Sequence, residues 1–266
     1  MTTLAGLYVY PVKSCRGIAV ASALLTNAGL QHDREWMVVS PDGRFLTQRD
    51  TPRLALVVPT IEREALTLDA PGMVPLTVPL DADGERRVVT VWREQCRAID
   101  AGASAATWFS DFLGRPSRLV RFDPAARRPT DAAWSQGLDA ESRFADAFPL
   151  LVLSRASLDD LNARLPTPLP LDRFRPNLLL DVDEPYVEDR LGSLSHGRVQ
   201  LRLVKPCTRC VITTTDQASA TVGGDEPLRT LRTYRWDAAL RGVTFGQNAI
   251  IASGAGERLM LGLSFE

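Results

Sequence analysis

The chain has 266 residues, 45% hydrophobic and 24% charged, with a formal net charge of −1. At roughly 150 residues per domain this is one large domain or two small ones, and the composition excludes a disordered or fibrous chain. The near-neutral charge gives nucleic acid and anionic membranes no general attraction, and no apolar run nears the ~20 residues of a membrane helix, so neither partner is expected.

In chain order, short β-rich runs punctuated by turn residues dominate: residues 4–12, 18–26, 36–40, 54–59, 65–68, 74–78, 87–92 and 118–122. The pattern continues at 150–153, 177–182, 199–204, 211–215, 248–251 and 258–263, which suggests sheets or barrels. Pro41-Asp42-Gly43 reads as a hairpin turn between residues 36–40 and 45–48, since Gly supplies the positive φ of a tight reversal. Helices are few. After Ser104, the residues Trp108, Phe109, Phe112 and Leu113 fall at helical spacing and stop at Gly114-Arg115-Pro116. Ser157 and Asp160 form a capping signature ahead of Leu161 and Leu165, and Pro227 opens a short helix with Leu228 and Leu231 on one face. Residues 122–136 carry Pro124 and Pro129 and read as a linker, which places a domain boundary near residue 120.

Only two of the 31 basic residues are lysines, Lys13 and Lys205, and each lies within two residues of a cysteine. The four cysteines, Cys15, Cys96, Cys207 and Cys210, are too few for a small disulfide-built secreted domain, and the start lacks a basic segment followed by an apolar one. A reducing, cytoplasmic setting is expected. Two histidines, His32 and His196, leave little room for a His-rich metal site or a Ser-His-Asp hydrolase, and both read as structural or surface residues. Gly254-Ala255-Gly256 has no following helix for a dinucleotide loop and is assigned to a turn.

The strongest chemical signal is Lys205-Pro206-Cys207-Thr208-Arg209-Cys210, a C-x-x-C followed by the β-branched run Val211 to Thr215. Four readings remain open. A zinc knuckle needs a second pair of ligands. A thioredoxin-type dithiol needs a helix start where the β-branched run favours a strand. Two buried structural cysteines need nothing further. A thiolate beside Arg209 and Lys205 suits a soft metal.

Several separate stretches together resemble the MOSC proteins, named for the C-terminal domain of molybdenum cofactor sulfurase, and above all the mitochondrial amidoxime-reducing components and their bacterial relatives. They are Tyr10-Pro11-Val12-Lys13-Ser14-Cys15-Arg16-Gly17, Asp33-Arg34, Gln48-Arg49 and Pro52-Arg53-Leu54, then Asp146 through Ser154, Arg173-Phe174-Arg175-Pro176-Asn177, the Cys207 to Asp216 segment and Phe245-Gly246-Gln247-Asn248. The resemblance implies a mainly β (α+β) fold with few short helices: an N-terminal β-barrel domain over residues 1–120 and a MOSC β-barrel domain over residues 121–266. It implies a molybdenum cofactor (Mo-molybdopterin) between the two, with Cys210 as metal ligand and catalytic residue and Cys207 as neighbour. Lys13, Ser14, Arg34, Arg175, Asn177, Thr208 and Arg209 would hold the cofactor and its phosphate, and Asp146 its pterin ring. Planar guanidinium forks suit the phosphate's oxygens. Ala147 and Phe148 depart from the small hydroxyl residues of the eukaryotic relatives. The implied activity is that of a molybdenum-dependent oxidoreductase that reduces N-hydroxylated compounds such as amidoximes and hydroxylamines. Its electrons would come from a separate donor protein, because no flavin, haem or iron–sulfur motif is present. A carrier or sulfur-transfer protein that binds the cofactor without turnover is the alternative.

Overall fold

The computed structural model describes residues 2–266. Strands predominate, and the four α-helices among the described residues are all short. In spatial order the largest sheet runs Ser193–His196, Val199–Thr208, Gly242–Ser253, Leu150–Ser154, Leu178–Asp181, Thr2–Val9 and Ser264–Phe265. Leu150–Ser154 and Leu178–Asp181 pair in parallel across the helix Arg155–Arg164; the other neighbours on this path are antiparallel. Leu7 and Val9 turn into one core with Leu25, Leu150, Leu178, Leu201 and Phe265, as the two-residue period of a strand requires, and the register shift between Leu4 and Gly6 brings Leu4 into the same core. Gly246 has φ +79, and a side chain there would come within 2.8 Å of the Val152 carbonyl, so the long strand bends closely over its neighbour at that point.

A second body holds the four-stranded antiparallel sheet Trp36–Val39, Arg118–Phe122, Glu94–Asp100 and Arg86–Val91. Beside it stands the meander Val58–Ile61, Ala65–Asp69, Leu76–Pro79. Helix Ala103–Leu113 lays Ala105, Trp108, Phe109 and Phe112 between them, against Trp36, Val38 and Leu119 on one side and Leu66, Leu68 and Val78 on the other. The two sheets therefore meet through a core, not through a ladder, and the expected barrel does not close here. It stays open in the large sheet too. There Ser195 and Glu266 exchange one pair of backbone hydrogen bonds across the ends of the path, because Ser264–Phe265 is too short to carry ladders on both sides.

The two regions interlock. Thr2–Val9 belongs to the large sheet, and Ser22–Thr26 pairs with Arg258–Met260. Residue 120 lies inside the strand Arg118–Phe122, between two partners. The stretch 122–136 is irregular up to a single turn of helix, Ala132–Ser135, capped by the Asp131 carboxylate.

Three local expectations are corrected. Residues 54–59 are not one strand, since Pro52–Leu56 forms a 3-10 turn and the strand begins at Val58. The helix near Ser157 starts at Arg155, because the Ser154 hydroxyl accepts the Ser157 amide while Ser157 donates its own hydroxyl to the buried Glu188. Val211–Thr214 is a 3-10 turn and not a strand. Thr213 and Thr214 donate their hydroxyls to the carbonyls three residues back, Cys210 and Val211, and such local bonds outweigh β propensity.

Candidate functional site

One cleft between the two bodies collects all nine residues singled out from the sequence: Lys13, Ser14, Arg34, Asp146, Arg175, Asn177, Thr208, Arg209 and Cys210. Two of its cations are arranged around Tyr10. The Arg34 and Arg175 guanidiniums flank this ring at 4.2 and 4.4 Å from its centroid, and the Tyr10 hydroxyl donates to the Pro176 carbonyl. Ser14, Arg34 and Arg175 all hold positive φ, at 67°, 45° and 57°. Three non-glycine residues in this region at one cleft mark backbone held in place by its surroundings.

Arg34 donates to the Asp33 carboxylate at 2.6 Å and to Asn177 Oδ1 at 3.0 Å. Asn177 also accepts the Leu151 amide and donates to the Tyr8 carbonyl. Its amide is thus engaged in positioning Arg34 and the two strands. Among the described residues Arg175 has no carboxylate partner; it donates to the Cys15 carbonyl at 2.6 Å. Burial, and then the charge of Arg34, pull its pKa down to about 10, so this part of the cleft carries a positive charge that its own neighbours do not neutralise.

Cys207 and Cys210 line the same cleft. Cys210 caps the 3-10 turn, which Arg173 fastens by bonds to the Thr213 carbonyl and the Asp216 carboxylate. Arg49 donates to Cys210 Sγ at 3.1 Å, and Arg209 to Cys207 Sγ at the same distance. Lys13, almost wholly buried, donates to the Phe144 carbonyl at 2.7 Å and to Asp146 at 2.6 Å. Asp146 is half-exposed; desolvation in the cleft works against its ionisation, but the charge and hydrogen bond of Lys13 outweigh it and hold the carboxyl below the usual range. Trp92 adds an indole N–H bond to the same oxygen at 3.2 Å.

Arg49 was not singled out from the sequence. Its contact with Cys210 spans 161 positions, and Gln48-Arg49 shows only that a motif is present. Gln48 itself exchanges two amide hydrogen bonds with Gln217, tying this loop to the segment after Cys210. Lys205, expected near the thiols, instead lies over the Trp134 ring at 4.7 Å. Ala147 lines the cleft, while Phe148 also packs with Ala140, Val204 and Ile250. His32 and His196 bond to Glu35 and to the Ser264 carbonyl.

The open readings of the C-x-x-C narrow. Among the described residues no three His, Cys, Asp or Glu side chains gather as a metal site, and Cys15 and Cys96 are buried apart from the pair. All four cysteines are free. Burial pushes the Cys15 thiol up to about 12 and raises Cys96 as well. Alkylation of the native protein at pH 8 is therefore expected to label Cys207 and Cys210 only, since the thiolate is the reactive form; mass spectrometry showing early label on Cys15 would contradict the burial described.

A cysteine that accepts a guanidinium hydrogen bond thus shares one cleft with several further cations, a surface that favours anions beside a thiol. Residues 1–116 match the MOSC N-terminal beta barrel domain and residues 139–257 the MOSC domain. The chain belongs to the MOSC family that joins these two domains, as its relatives show. It is 36% identical over 244 residues to mitochondrial amidoxime reducing component 2 of Rattus norvegicus, covering 88% of this chain and 72% of that one. To mitochondrial amidoxime-reducing component 1 of Homo sapiens it is 37% identical over 242 residues, with the same coverage. Among the described residues no helix is long and apolar enough to cross a membrane.

Proposed function

We propose that this protein is a molybdenum-cofactor-dependent reductase of N-hydroxylated compounds, with Cys210 as the protein's ligand to the metal. The observation that carries the reading is the pairing of Cys210 with Arg49 in the same cleft as Arg175, which has no carboxylate partner among the described residues. The donor set fits the cofactor. A thiol suits a soft metal, and Arg34 with Arg175 presents forked donors to a phosphate. Arg49 Nη1 is a buried donor with no partner, which is costly unless a ligand satisfies it. Support for the reaction comes from the relatives, which are named as amidoxime-reducing.

When bound, the cofactor supplies a two-electron redox centre. The chain's own residues do the rest. Arg49 holds the Cys210 sulfur by a charge-assisted bond and Asn177 fixes Arg34, so that Arg34 and Arg175 would hold the phosphate. Lys13 and Asp146 neutralise one another, and Asp146, kept ionised, would accept hydrogen bonds from the pterin. In the overall reaction the N–O bond of the substrate breaks, two electrons and two protons enter, and water leaves. The electrons come from a separate donor protein, and a reducing, cytoplasmic compartment, which suits four free cysteines, belongs to the same proposal.

The test is metal analysis and dye-driven turnover of protein made in a host that synthesises the cofactor. Molybdenum near one per chain with reduction of an amidoxime is expected; stoichiometric molybdenum with no turnover would favour a carrier. Arg175→Ala removes a charge-assisted contact of about 1.5–3 kcal/mol, so cofactor retained per folded chain should fall at least ~10-fold at limiting cofactor. Full occupancy in that variant would remove Arg175 from the site.

A further inference from the structure

Beside the cleft lies a second groove of about 260 Å³, whose lining includes Phe45, Thr47, Arg49, Asp50 and Trp92. Thr47 and Arg49 line both cavities, so the groove is continuous with the cysteine site through the residue that bonds Cys210. Trp92 stands at the tip of the hairpin between Arg86–Val91 and Glu94–Asp100, with φ at 58°. A bulky side chain is rare in that region, and here the indole is also 48% exposed. It is nonetheless fixed from three directions. Phe45 meets it edge-on with centroids 5.1 Å apart, Arg49 lies over its ring at 4.6 Å, and Asp146 accepts its N–H.

A strained, half-exposed aromatic held this firmly is a platform for another flat group. Two aromatic rings and a planar guanidinium favour a conjugated ring over an aliphatic chain, because stacking and edge contacts add to simple burial. Charge sharpens the choice. Arg44 and Arg49 outnumber Asp50 among the groove's charged residues, which suits a neutral amidoxime better than the protonated amidine that its reduction yields.

We propose that this groove is the subsite for an aromatic ring carried by the N-hydroxylated substrate, whose N–O end reaches past Arg49 to Cys210. The identity of the reducible end rests on the reductase reading above; the preference for a ring rests on Trp92 and Phe45.

The test titrates the cofactor-loaded protein, without reductant, with benzamidoxime and with acetamidoxime, which share the reactive group and differ in the ring. Calorimetry should show benzamidoxime binding about 10-fold tighter, and the Trp92 indole N–H resonance should move with benzamidoxime alone. Trp92→Ala should bring the two affinities to within ~2-fold of one another, as expected when the stacking partner is lost. Trp92→Phe, which keeps a ring and loses the bond to Asp146, should retain most of the preference. Equal affinities in the wild type would overturn the subsite, as would a preference unchanged in Trp92→Ala. A preference lost as fully in Trp92→Phe would also overturn it, by making Trp92 a prop for Asp146. If the ring preference holds while dye-driven turnover of either amidoxime is absent, the subsite stands and the reductase reading falls.

Discussion

Replacing Cys210 by Ser is expected to abolish reduction of an N-hydroxylated substrate and to lower bound molybdenum, whereas Cys207→Ser retains the metal and a substantial part of the activity. A hydroxyl is a harder and far less acidic ligand than a thiol, so the first substitution removes the proposed bond to the metal outright. The two sulfurs have different surroundings. Cys210 is held by Arg49 from the other body, while Cys207 is held by near neighbours in sequence, Arg209 and the Thr208 carbonyl. Metal content by mass spectrometry, measured beside turnover, separates the outcomes. Equal loss in both variants with zinc in the wild type would restore the zinc reading, and equal loss without any metal would restore the dithiol.

The largest expected effect on stability is at Glu35, next to Arg34 in sequence but turned away from the cleft. Its buried carboxylate accepts from His32 at 3.1 Å, Arg121 at 2.8 Å and Arg143 at 2.6 Å. Burial works against ionisation, yet the His32 hydrogen bond and the two arginines lower its pKa from the ordinary 4.5 to about 2. That difference corresponds to about 3 kcal/mol of stability at neutral pH. Because the folded pKa is depressed, the contribution is present above about pH 4.5 and is lost as the pH falls towards 2. Glu35→Gln should therefore cost about 3 kcal/mol in urea unfolding at pH 7, in line with a broken buried pair. The wild-type and variant stabilities should converge as the pH is lowered through this window; a constant gap down to pH 2.5 would show that the carboxylate charge is not what matters.

Much of the site was legible because its motifs are contiguous. Arg173 to Asn177 bring Arg175 and Asn177 to the cleft from one stretch, and Cys207 to Cys210 do the same for the thiols. What was not legible depends on distant partners or on local bonds that override propensity. Arg49 acts on a sulfur 161 positions away, and no spacing rule reports such a contact. The Val211–Thr214 turn looked like a strand by residue type and became a turn through two hydroxyl-to-carbonyl bonds. Residue type marked 4–12 as strand, and the structure has Thr2–Val9, but residue type does not name a strand's neighbours.

Those neighbours govern how the chain can reach its final form. The strand Thr2–Val9 sits between Leu178–Asp181 and Ser264–Phe265, both far downstream of it in sequence. Only Tyr8 and Val9 have a nearby partner, in Ile18–Ala19; the rest of the strand waits for those two distant segments, and pairing across so long a separation is slow. Until then an apolar strand with open edges is exposed to other chains. Expressing residues 121–266 alone would leave the large sheet without an internal strand, however complete its share of the cysteine site.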